Sequence, residues 1–257
     1  MARSIDLNSD LGEGFGPWPM GDDEAMLSLV SSANIACGGH AGDPETMYRT
    51  LSVAHQNGVI VGAHPGYNDR EGFGRRVIPM SVDEIGRMVA SQIGALQAVA
   101  SLVEVPVRYV KPHGALANLA ARDGSVAHGV VSAVQAIDEN LAILAISGTE
   151  LEHVARSAGA QVFSEVFVDR AYQPNGQLVP RGETGAMIEN PQEATDRLLA
   201  FLETGMMPVI HGDPIPLEAH SMCVHGDSDG AVAMARLVRN SLVNAGFEIT
   251  GFVSFAR

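Results

Sequence analysis

The sequence predicts an α/β fold in which seven βα units close into a barrel, with residues 1–257 forming one domain. Short apolar runs alternate with longer amphipathic segments along the chain, a pattern typical of repeated βα units around a mainly parallel sheet. Seven units of this size favour a closed barrel over an open doubly wound sheet. No linker, low-complexity run or block of charge divides the chain.

Each predicted strand is a short apolar run, and each predicted helix is a longer amphipathic one. The strands are expected at about 3–8, 33–38, 59–63, 107–111, 142–146, 162–167 and 221–225. The helices are expected near 22–31, 44–57, 81–103, 125–138, 149–158, 191–204 and 229–245. Asp43-Pro44 supplies an N-cap and a first-turn proline, and Ser81 to Glu84 form a capping box. The Pro-, Gly- and Asn-rich stretch 172–190 is predicted to cross the barrel mouth.

Composition excludes several classes of partner. A formal net charge of −14 argues against nucleic acid, which selects basic proteins. No apolar run reaches the roughly 18 to 20 residues of a membrane span, and Met1–Asp6 lacks the apolar region of a signal peptide. Two cysteines, Cys37 and Cys223, favour buried free thiols in a reducing compartment. We therefore expect a cytoplasmic protein that acts on a small molecule, with homo-oligomerisation left open.

The basic residues are unevenly divided between lysine and arginine. Fifteen arginines accompany one lysine, Lys111, which lies at the end of the fourth predicted strand. This bias indicates that Lys111 is kept where a compact ammonium is required and a planar guanidinium would not serve.

Polar residues collect where the predicted strands end, which is where (β/α) barrels place their catalytic groups. Alternation along the first strand puts Asp6, Asn8 and Asp10 on one face. Lys111 and His113 share a face of the fourth strand. Further candidates at strand ends are Glu13, His40, His64, Glu165, Asp169, Arg170, His225 and Asp227.

The histidines divide by position. Three of the nine lie on predicted helices and are expected at the surface, whereas five lie at strand ends, namely His40, His64, His113, His211 and His225. A divalent metal, Mg or Zn, is one interpretation, with ligands drawn from Asp6, His40, His64, His225 and Asp227. Proton transfer or substrate hydrogen bonding is the alternative, because no compact ligand spacing is present.

Two glycine-rich turns suggest anion binding. Cys37–Asp43 leads to a helix N-terminus, where backbone N–H groups can hold an anion such as a nucleotide phosphate. Gly72–Arg76 presents two guanidinium groups, which suit a carboxylate or phosphate. Simple turn geometry and a solvated surface pair remain the alternatives.

Several long motifs, in order along the chain, resemble the LamB/YcsF family. They are Asp6 to Gly16, Ala33 to Pro44, Gly62 to Pro65, Gly72 to Arg76, Val110 to Leu116, Glu165 with Asp169 to Tyr172, and Val224 to Asp227. The resemblance covers essentially the whole length. The chain departs from the family pattern at three positions, with Gly39 in place of an aromatic residue, Gly66 in place of Ser and Val168 in place of Ala.

The resemblance implies a distorted seven-stranded barrel of the glycoside hydrolase/deacetylase type. It also implies ATP-dependent opening of 5-oxoproline to glutamate, with activity requiring two further subunits, B and C. Such a site needs a cation for phosphate, groups that activate water and arginines for the substrate carboxylate. We assign catalytic roles to Asp10, Glu13, His40, His64, Lys111 and His113. We assign substrate binding to Asn8, Arg75, Arg170, Glu165 and Asp169.

Two other functions remain open from the sequence. One is a metal-dependent deacetylase or amidohydrolase that works without ATP, because a barrel fold does not fix its function. The other is a substrate-binding subunit whose partners carry all the chemistry. Measurements of ATP dependence and metal content would distinguish the ATP-independent hydrolase from an ATP-dependent enzyme. The effect of cavity variants on turnover would distinguish a substrate-binding subunit from a catalytic one.

Overall fold

Seven parallel strands form a closed barrel in the computed structural model, which describes residues 3–227 and 230–255. The strands in chain order are β1 (Arg3–Leu11), β2 (Ser32–Ala36), β3 (Ile60–His64), β4 (Val107–Val110), β5 (Ala142–Ile146), β6 (Val162–Phe167), β7 (Met206–Met207), β8 (Ile215–Pro216), β9 (Ser221–Cys223) and β10 (Phe247–Ile249). The helices are α1 (Asp23–Leu27), α2 (Pro44–Gln56), α3 (Val82–Ala100), α4 (Gly114–Ala120), α5 (Gly124–Ile137), α6 (Glu150–Ser157), α7 (Pro191–Thr204) and α8 (Ala231–Asn244).

The barrel closes through β9, which pairs with both β6 and β1. The order around the barrel is β1, β2, β3, β4, β5, β6 and β9, and every pairing in it is parallel. β1 changes partner along its length, because Arg3–Ile5 pair with β10 whereas Asp6–Asn8 pair with β9. The last position of the barrel is thus shared between two short strands, which is the distortion that the family resemblance implies.

The elements expected from the sequence are present, and a few short ones are additional. All seven predicted strands and all seven predicted helices overlap observed ones. The Asp43 N-cap and the capping box of Ser81 and Glu84 are formed. Helix α4 and strands β7, β8 and β10 were not predicted. Each of these elements has seven residues or fewer, too few to establish a periodic pattern.

Two apolar clusters lie on opposite sides of the barrel wall. The larger one joins outward-facing strand residues such as Leu7 and Leu11 to the surrounding helices. The smaller one is inside the barrel, where Tyr109, Leu144 and Phe163 pack against Phe252 from the C-terminal segment. The interior below the functional site is therefore filled by side chains. No helix within the described residues is long and apolar enough to cross a membrane.

Gly62 on β3 is required by the close packing of Tyr109. A Cβ atom at this position would lie only 2.5 Å from Tyr109 Cδ2 and closer still to other ring atoms. We predict that Gly62→Ala lowers the free energy of unfolding by about 2 kcal/mol, because the fully buried ring cannot move aside. Gly94→Ala on α3 is the matched control, since a Cβ there meets nothing within 4 Å and alanine favours a helix by about 1 kcal/mol. Urea unfolding of both variants measures the difference, and equal stabilities would contradict the packing argument.

Candidate active site

Lys111 is the centre of a polar cluster inside the barrel. It follows β4, and its side chain is buried. Its Nζ atom lies 2.8 Å from Glu165 Oε1, 3.0 Å from Asp10 Oδ1 and 3.3 Å from Asn8 Oδ1. The Sγ atom of Cys223 is 3.2 Å away. One ammonium group thus joins β4 to residues of β1, β6 and β9.

Burial and mutual electrostatic interactions shift the pKa values of Lys111 and its neighbours. Burial alone would lower the pKa of Lys111, but Asp10, Cys223 and Glu165 raise it well above its usual value. Burial opposes ionisation of Asp10 as well, yet His64 and Lys111 hold its pKa well below the usual range. Burial raises the pKa of Glu165 despite its contact with Lys111. Lys111 therefore contacts two carboxyl groups whose pKa values move in opposite directions, down for Asp10 and up for Glu165.

A layer of hydrogen bonds beneath Lys111 holds these groups in place. Asn8 donates to Glu165 Oε1 at 2.9 Å and to Ser221 Oγ at 2.6 Å. Asn34 donates to Asn8 Oδ1 at 2.7 Å and to Asp10 Oδ1 at 2.8 Å, and it accepts from Tyr109. Asn34 is a polar residue in an apolar strand, the signal that could have identified it from sequence.

Asp6 lies deeper in the barrel than the predicted metal site would require. Its carboxylate accepts hydrogen bonds from Ser31, Ser32 and Ser221. Burial raises its pKa to about 6, despite these three donors. The structure therefore does not bring Asp6 together with the other predicted metal ligands, because it lies on the same face of β1 as Asp10 but nearer the amino end of the strand.

Three histidines and Glu13 form a second cluster beside Asp10. His40 and His113 are stacked, with ring centroids 3.6 Å apart, and His64 meets both edge-on. His64 Nε2 is 3.1 Å from His113 Nδ1 and 3.3 Å from Asp10 Oδ2. Glu13 Oε1 is 3.0 Å from His40 Nε2 and 3.6 Å from His113 Nδ1. This group of Glu13, His40, His64 and His113 could hold a metal ion.

Burial disfavours charge in this cluster. It lowers the pKa of His40 and of His113 well below the usual value for histidine. Burial, and next the Asp10 carboxylate, raises the pKa of Glu13 to about 8. Near neutral pH the contact of Glu13 with His40 is thus a hydrogen bond between uncharged groups rather than an ion pair.

The Gly72–Arg76 loop covers the histidine cluster. The Phe73 ring meets His40 and His113 edge-on, and the Phe73 carbonyl oxygen accepts a hydrogen bond from His113 Nε2 at 2.8 Å. Arg75 Nη2 is 2.5 Å from Asp227 Oδ2. Arg76 points elsewhere and pairs with Asp69. The loop therefore contributes an apolar cover and an ion pair between Arg75 and Asp227.

The opposite wall carries a histidine–aspartate pair and two arginines. His225 Nδ1 lies 2.7 Å from Asp169 Oδ2. Burial opposes ionisation of Asp169, yet its contact with His225 lowers its pKa. Arg170 is buried, donates to the Val179 carbonyl oxygen and has an unpartnered Nε atom. Burial, and next the neighbouring Arg181, lowers the pKa of Arg170 to about 10.

These walls enclose a cavity of about 250 Å³, a size at the lower end of small-molecule sites. The sequence-predicted residues on its wall are Asp10, Glu13, His64, Arg75, Lys111, His113, Glu165, Arg170, His225 and Asp227. The predicted residues Asp6, Asn8, His40 and Asp169 are not on the wall; Asn8, His40 and Asp169 contact side chains that are, namely Glu165, Glu13 and His225, whereas Asp6 contacts none. Arg181 is on it but was not selected from sequence, since the stretch 172–190 that carries it has no periodic pattern.

The predicted metal ligands do not form one set. His40 and His64 belong to the cluster with Glu13, whereas His225 groups with Asp10 and Cys223. His211 is a further correction, because it is exposed between β7 and β8 and not at the barrel mouth. The sequence His211-Gly212-Asp213 does not follow a strand of the barrel. The three helix histidines are exposed as predicted.

The departures from the family pattern lie behind the cavity. A Cβ atom on Gly39 would lie 2.5 Å from Gln92 Oε1, and one on Gly66 would lie 2.8 Å from His40 Nδ1. Gln92 links the two positions, because its side-chain amide binds the backbone of Gly66. Val168 packs in the outer apolar cluster. None of the three residues lines the cavity, and only Gly39 and Gly66 lie next to the residues that surround the histidine cluster.

Fold and site together define a parallel α/β barrel with a buried, ionisable small-molecule site at the carboxyl ends of its strands. Residues 5–257 match the LamB/YcsF family, and the chain belongs to that family. It is 49% identical over 251 residues to a protein of Agrobacterium fabrum that is named as an A subunit of 5-oxoprolinase, covering 98% of each chain.

Solved structures agree with this membership. A crystal structure of a lactam utilization protein from Thermus thermophilus is 41% identical, with a TM-score of 0.90, over 96% of this chain and 99% of that one. A Bdellovibrio bacteriovorus peptidoglycan deacetylase has a TM-score of 0.50 at 14% identity, over 97% of this chain and 52% of that one. The second likeness concerns the fold alone. The predicted barrel of the deacetylase type is confirmed.

The raised pKa of Asp6 predicts a pH dependence of stability. Below about pH 4 Asp6 is protonated in both states and contributes nothing. Between about pH 4 and 6 the unfolded chain ionises while the native chain keeps the proton, so stability falls as pH rises, by about 3 kcal/mol in total. Asp6→Asn should remove this loss, so that its stability relative to wild type increases from about pH 4 to pH 7 in urea unfolding. Asp213→Asn, at an exposed position, is the control, and a pH-independent effect of Asp6→Asn would contradict the prediction.

Proposed function

We propose that this chain is the A subunit of an ATP-dependent 5-oxoprolinase. The assembly, with subunits B and C, would hydrolyse 5-oxo-L-proline to L-glutamate and convert ATP to ADP and phosphate. Relatives that are 46 to 49% identical over nearly their whole length are named as A subunits of 5-oxoprolinase. The related Thermus thermophilus structure is described as a lactam utilization protein.

The observation that carries the proposal is a buried arginine on the wall of a small cavity that also holds proton-transfer groups. Among the described residues, Arg170 forms no ion pair with a carboxylate within 4.0 Å, and its Nε atom has no partner. Arg181 lies on the same wall. A substrate carboxylate would satisfy both guanidinium groups. 5-Oxoproline has such a carboxylate next to its lactam ring.

The remaining cavity residues suit the chemistry of a lactam. An amide is a poor electrophile, and transfer of a phosphoryl group from ATP to the lactam oxygen, with loss of ADP, activates the ring carbon. Water then adds to that carbon, and the C–N bond breaks as the nitrogen takes a proton. A second water hydrolyses the resulting acyl phosphate to glutamate and phosphate. ATP binding is proposed for the assembly as a whole.

Two groups have roles in this scheme that follow from their contacts. His225 is held through Nδ1 by Asp169, so Nε2 is the atom left to exchange a proton with water or with the ring nitrogen. Lys111 holds the pKa of Asp10 down, and its ammonium group on the wall would stabilise the negative charge of the transferred phosphoryl group. A guanidinium at position 111 would not fit among Asp10, Glu165 and Cys223.

Reconstitution tests the proposed activity. The chain alone, and the chain with subunits B and C, are supplied with 5-oxoproline in the presence and absence of ATP, and glutamate and ADP are measured. We expect equal amounts of glutamate and ADP only from the complete assembly with ATP. Glutamate formation by the chain alone without ATP would overturn the proposal in favour of an ATP-independent amidohydrolase.

His225→Gln in the assembly should lower turnover about 100-fold or more, and an unchanged rate would show that this chain only binds the substrate.

Substrate binding by Arg170 is tested separately. Arg170→Gln should raise KM for 5-oxoproline at least about tenfold, because a lost charge-assisted bond costs about 1.5 kcal/mol or more. Arg181→Gln should also raise KM for 5-oxoproline. This variant leaves the hydrogen bond from Arg170 to the Val179 carbonyl oxygen intact. Arg76→Gln is the control, since Arg76 pairs with Asp69 outside the cavity. Equal KM values in all three variants would exclude Arg170 and Arg181 as the carboxylate site.

A further inference from the structure

The hydrogen bonds of His64 and His113 leave two ring nitrogens facing one another without a proton to share. His64 Nδ1 is 2.7 Å from the Lys111 carbonyl oxygen, and His113 Nε2 is 2.8 Å from the Phe73 carbonyl oxygen. A carbonyl oxygen only accepts, so both of these nitrogens carry hydrogen. In the neutral rings, His64 Nε2 and His113 Nδ1 are then bare acceptors. They nevertheless lie 3.1 Å apart.

Two carboxylate oxygens complete the surroundings of this pair. Asp10 Oδ2 is 3.3 Å from His64 Nε2, and Glu13 Oε1 is 3.6 Å from His113 Nδ1. Two nitrogens and two carboxyl oxygens, each able to offer an electron pair once Glu13 has lost its proton, thus lie around this point. Ligands that share one metal at bond lengths of about 2.0 to 2.2 Å are separated from each other by about 3 to 3.5 Å, and the separations of 3.1, 3.3 and 3.6 Å are close to that range.

We propose that His64, His113, Glu13 and Asp10 bind one divalent transition-metal ion, such as Zn²⁺, at the cavity wall. Two imidazoles and two carboxylates suit this class of ion, whereas Mg²⁺ prefers oxygen ligands alone. All four residues line the cavity, so an ion held by them would be accessible from the cavity. The site differs from the ligand set expected from sequence, which contained Asp6, His40, His225 and Asp227 and lacked Asp10, Glu13 and His113.

The structure also contains the outer support that such a site needs. The carbonyl oxygens of Lys111 and Phe73 fix the orientation of the two ligating rings, as partners of metal-bound histidines do. His40 stacks in parallel on His113 and therefore cannot share an ion lying in the plane of that ring. Its Nε2 atom contacts Glu13 and orients the carboxylate. His40 is a positioning residue in this arrangement, although it groups with the ligands by distance.

Metal binding to the intact chain tests the proposal without any assay of activity. The purified chain is treated with a chelator, dialysed, and titrated with Zn²⁺ by calorimetry, and its metal content is measured by mass spectrometry. A parallel titration with Co²⁺ monitors the visible absorption bands of a bound ion. We expect about one ion per chain with a Kd in the micromolar range or below. Fewer than about 0.1 Zn²⁺ ions per chain would overturn the proposal and indicate that the histidine pair shares a proton instead.

Variants locate the ion. His64→Gln and His113→Gln should weaken Zn²⁺ binding about 100-fold or more, and His40→Gln by about 10-fold to 100-fold, as for other supporting residues. His225→Gln is the matched control from the second cluster with Asp10 and Cys223, and His128→Gln controls for the surface. Circular dichroism establishes that each variant is folded, and if a histidine variant is not, Glu13→Gln takes its place. Loss of binding in His225→Gln but not in His64→Gln or Glu13→Gln would overturn the assignment.

Discussion

The buried ammonium of Lys111 is the interaction on which the interior of this barrel depends. It lies within 3.3 Å of Asn8, Asp10 and Glu165 and thereby joins strands on different sides of the barrel. Without it, two carboxyl groups would be buried with no cation beside them, an arrangement that costs several kcal/mol. The same charge keeps Asp10 ionised next to His64. The lysine thus determines both which side chains can occupy the interior and which of them carry charge.

Around this centre, the cavity divides into regions of different chemistry. The β3–β4 side carries imidazoles whose hydrogen bonds run to backbone carbonyl oxygens, as those of His64 and His113 do. The β6–β9 side carries an imidazole whose hydrogen bond runs to a carboxylate, as that of His225 does. A carbonyl partner accepts a hydrogen bond without adding a full charge beside the ring, whereas a carboxylate partner also favours the protonated imidazole. Histidines in one cavity therefore lie in different electrostatic surroundings.

Strand alternation was enough to predict much of this site, because it places every second residue inside the barrel. Asp10, Lys111, Glu165 and His225 were identified in this way and lie on the cavity wall. Alternation does not report depth along the barrel axis, which is why Asp6 was grouped with residues nearer the mouth. For loops, the sequence predicted that 172–190 crosses the barrel mouth, and Leu178, Pro180 and Arg181 do line the cavity, but individual loop contacts could not be predicted. The bond of His113 to the Phe73 carbonyl oxygen depends on irregular backbone, for which the sequence has no periodic signal. The fold class was predictable because it rests on many repeated units, whereas each loop contact depends on one.

Closure of the barrel by β9 has a consequence for synthesis of the chain. Asp6 pairs with Ser221, and Asn8 pairs with Cys223, so the first strand must wait for nearly the whole polypeptide before its edge is covered. Contacts between residues so distant in sequence form late and slowly. Until then β1 and β6 expose unpaired backbone groups, a surface that promotes association with other unfinished chains. In a nascent chain the β1 edge therefore stays open for most of translation, and the β6 edge stays open from residue 167 until residues 221–223 are made.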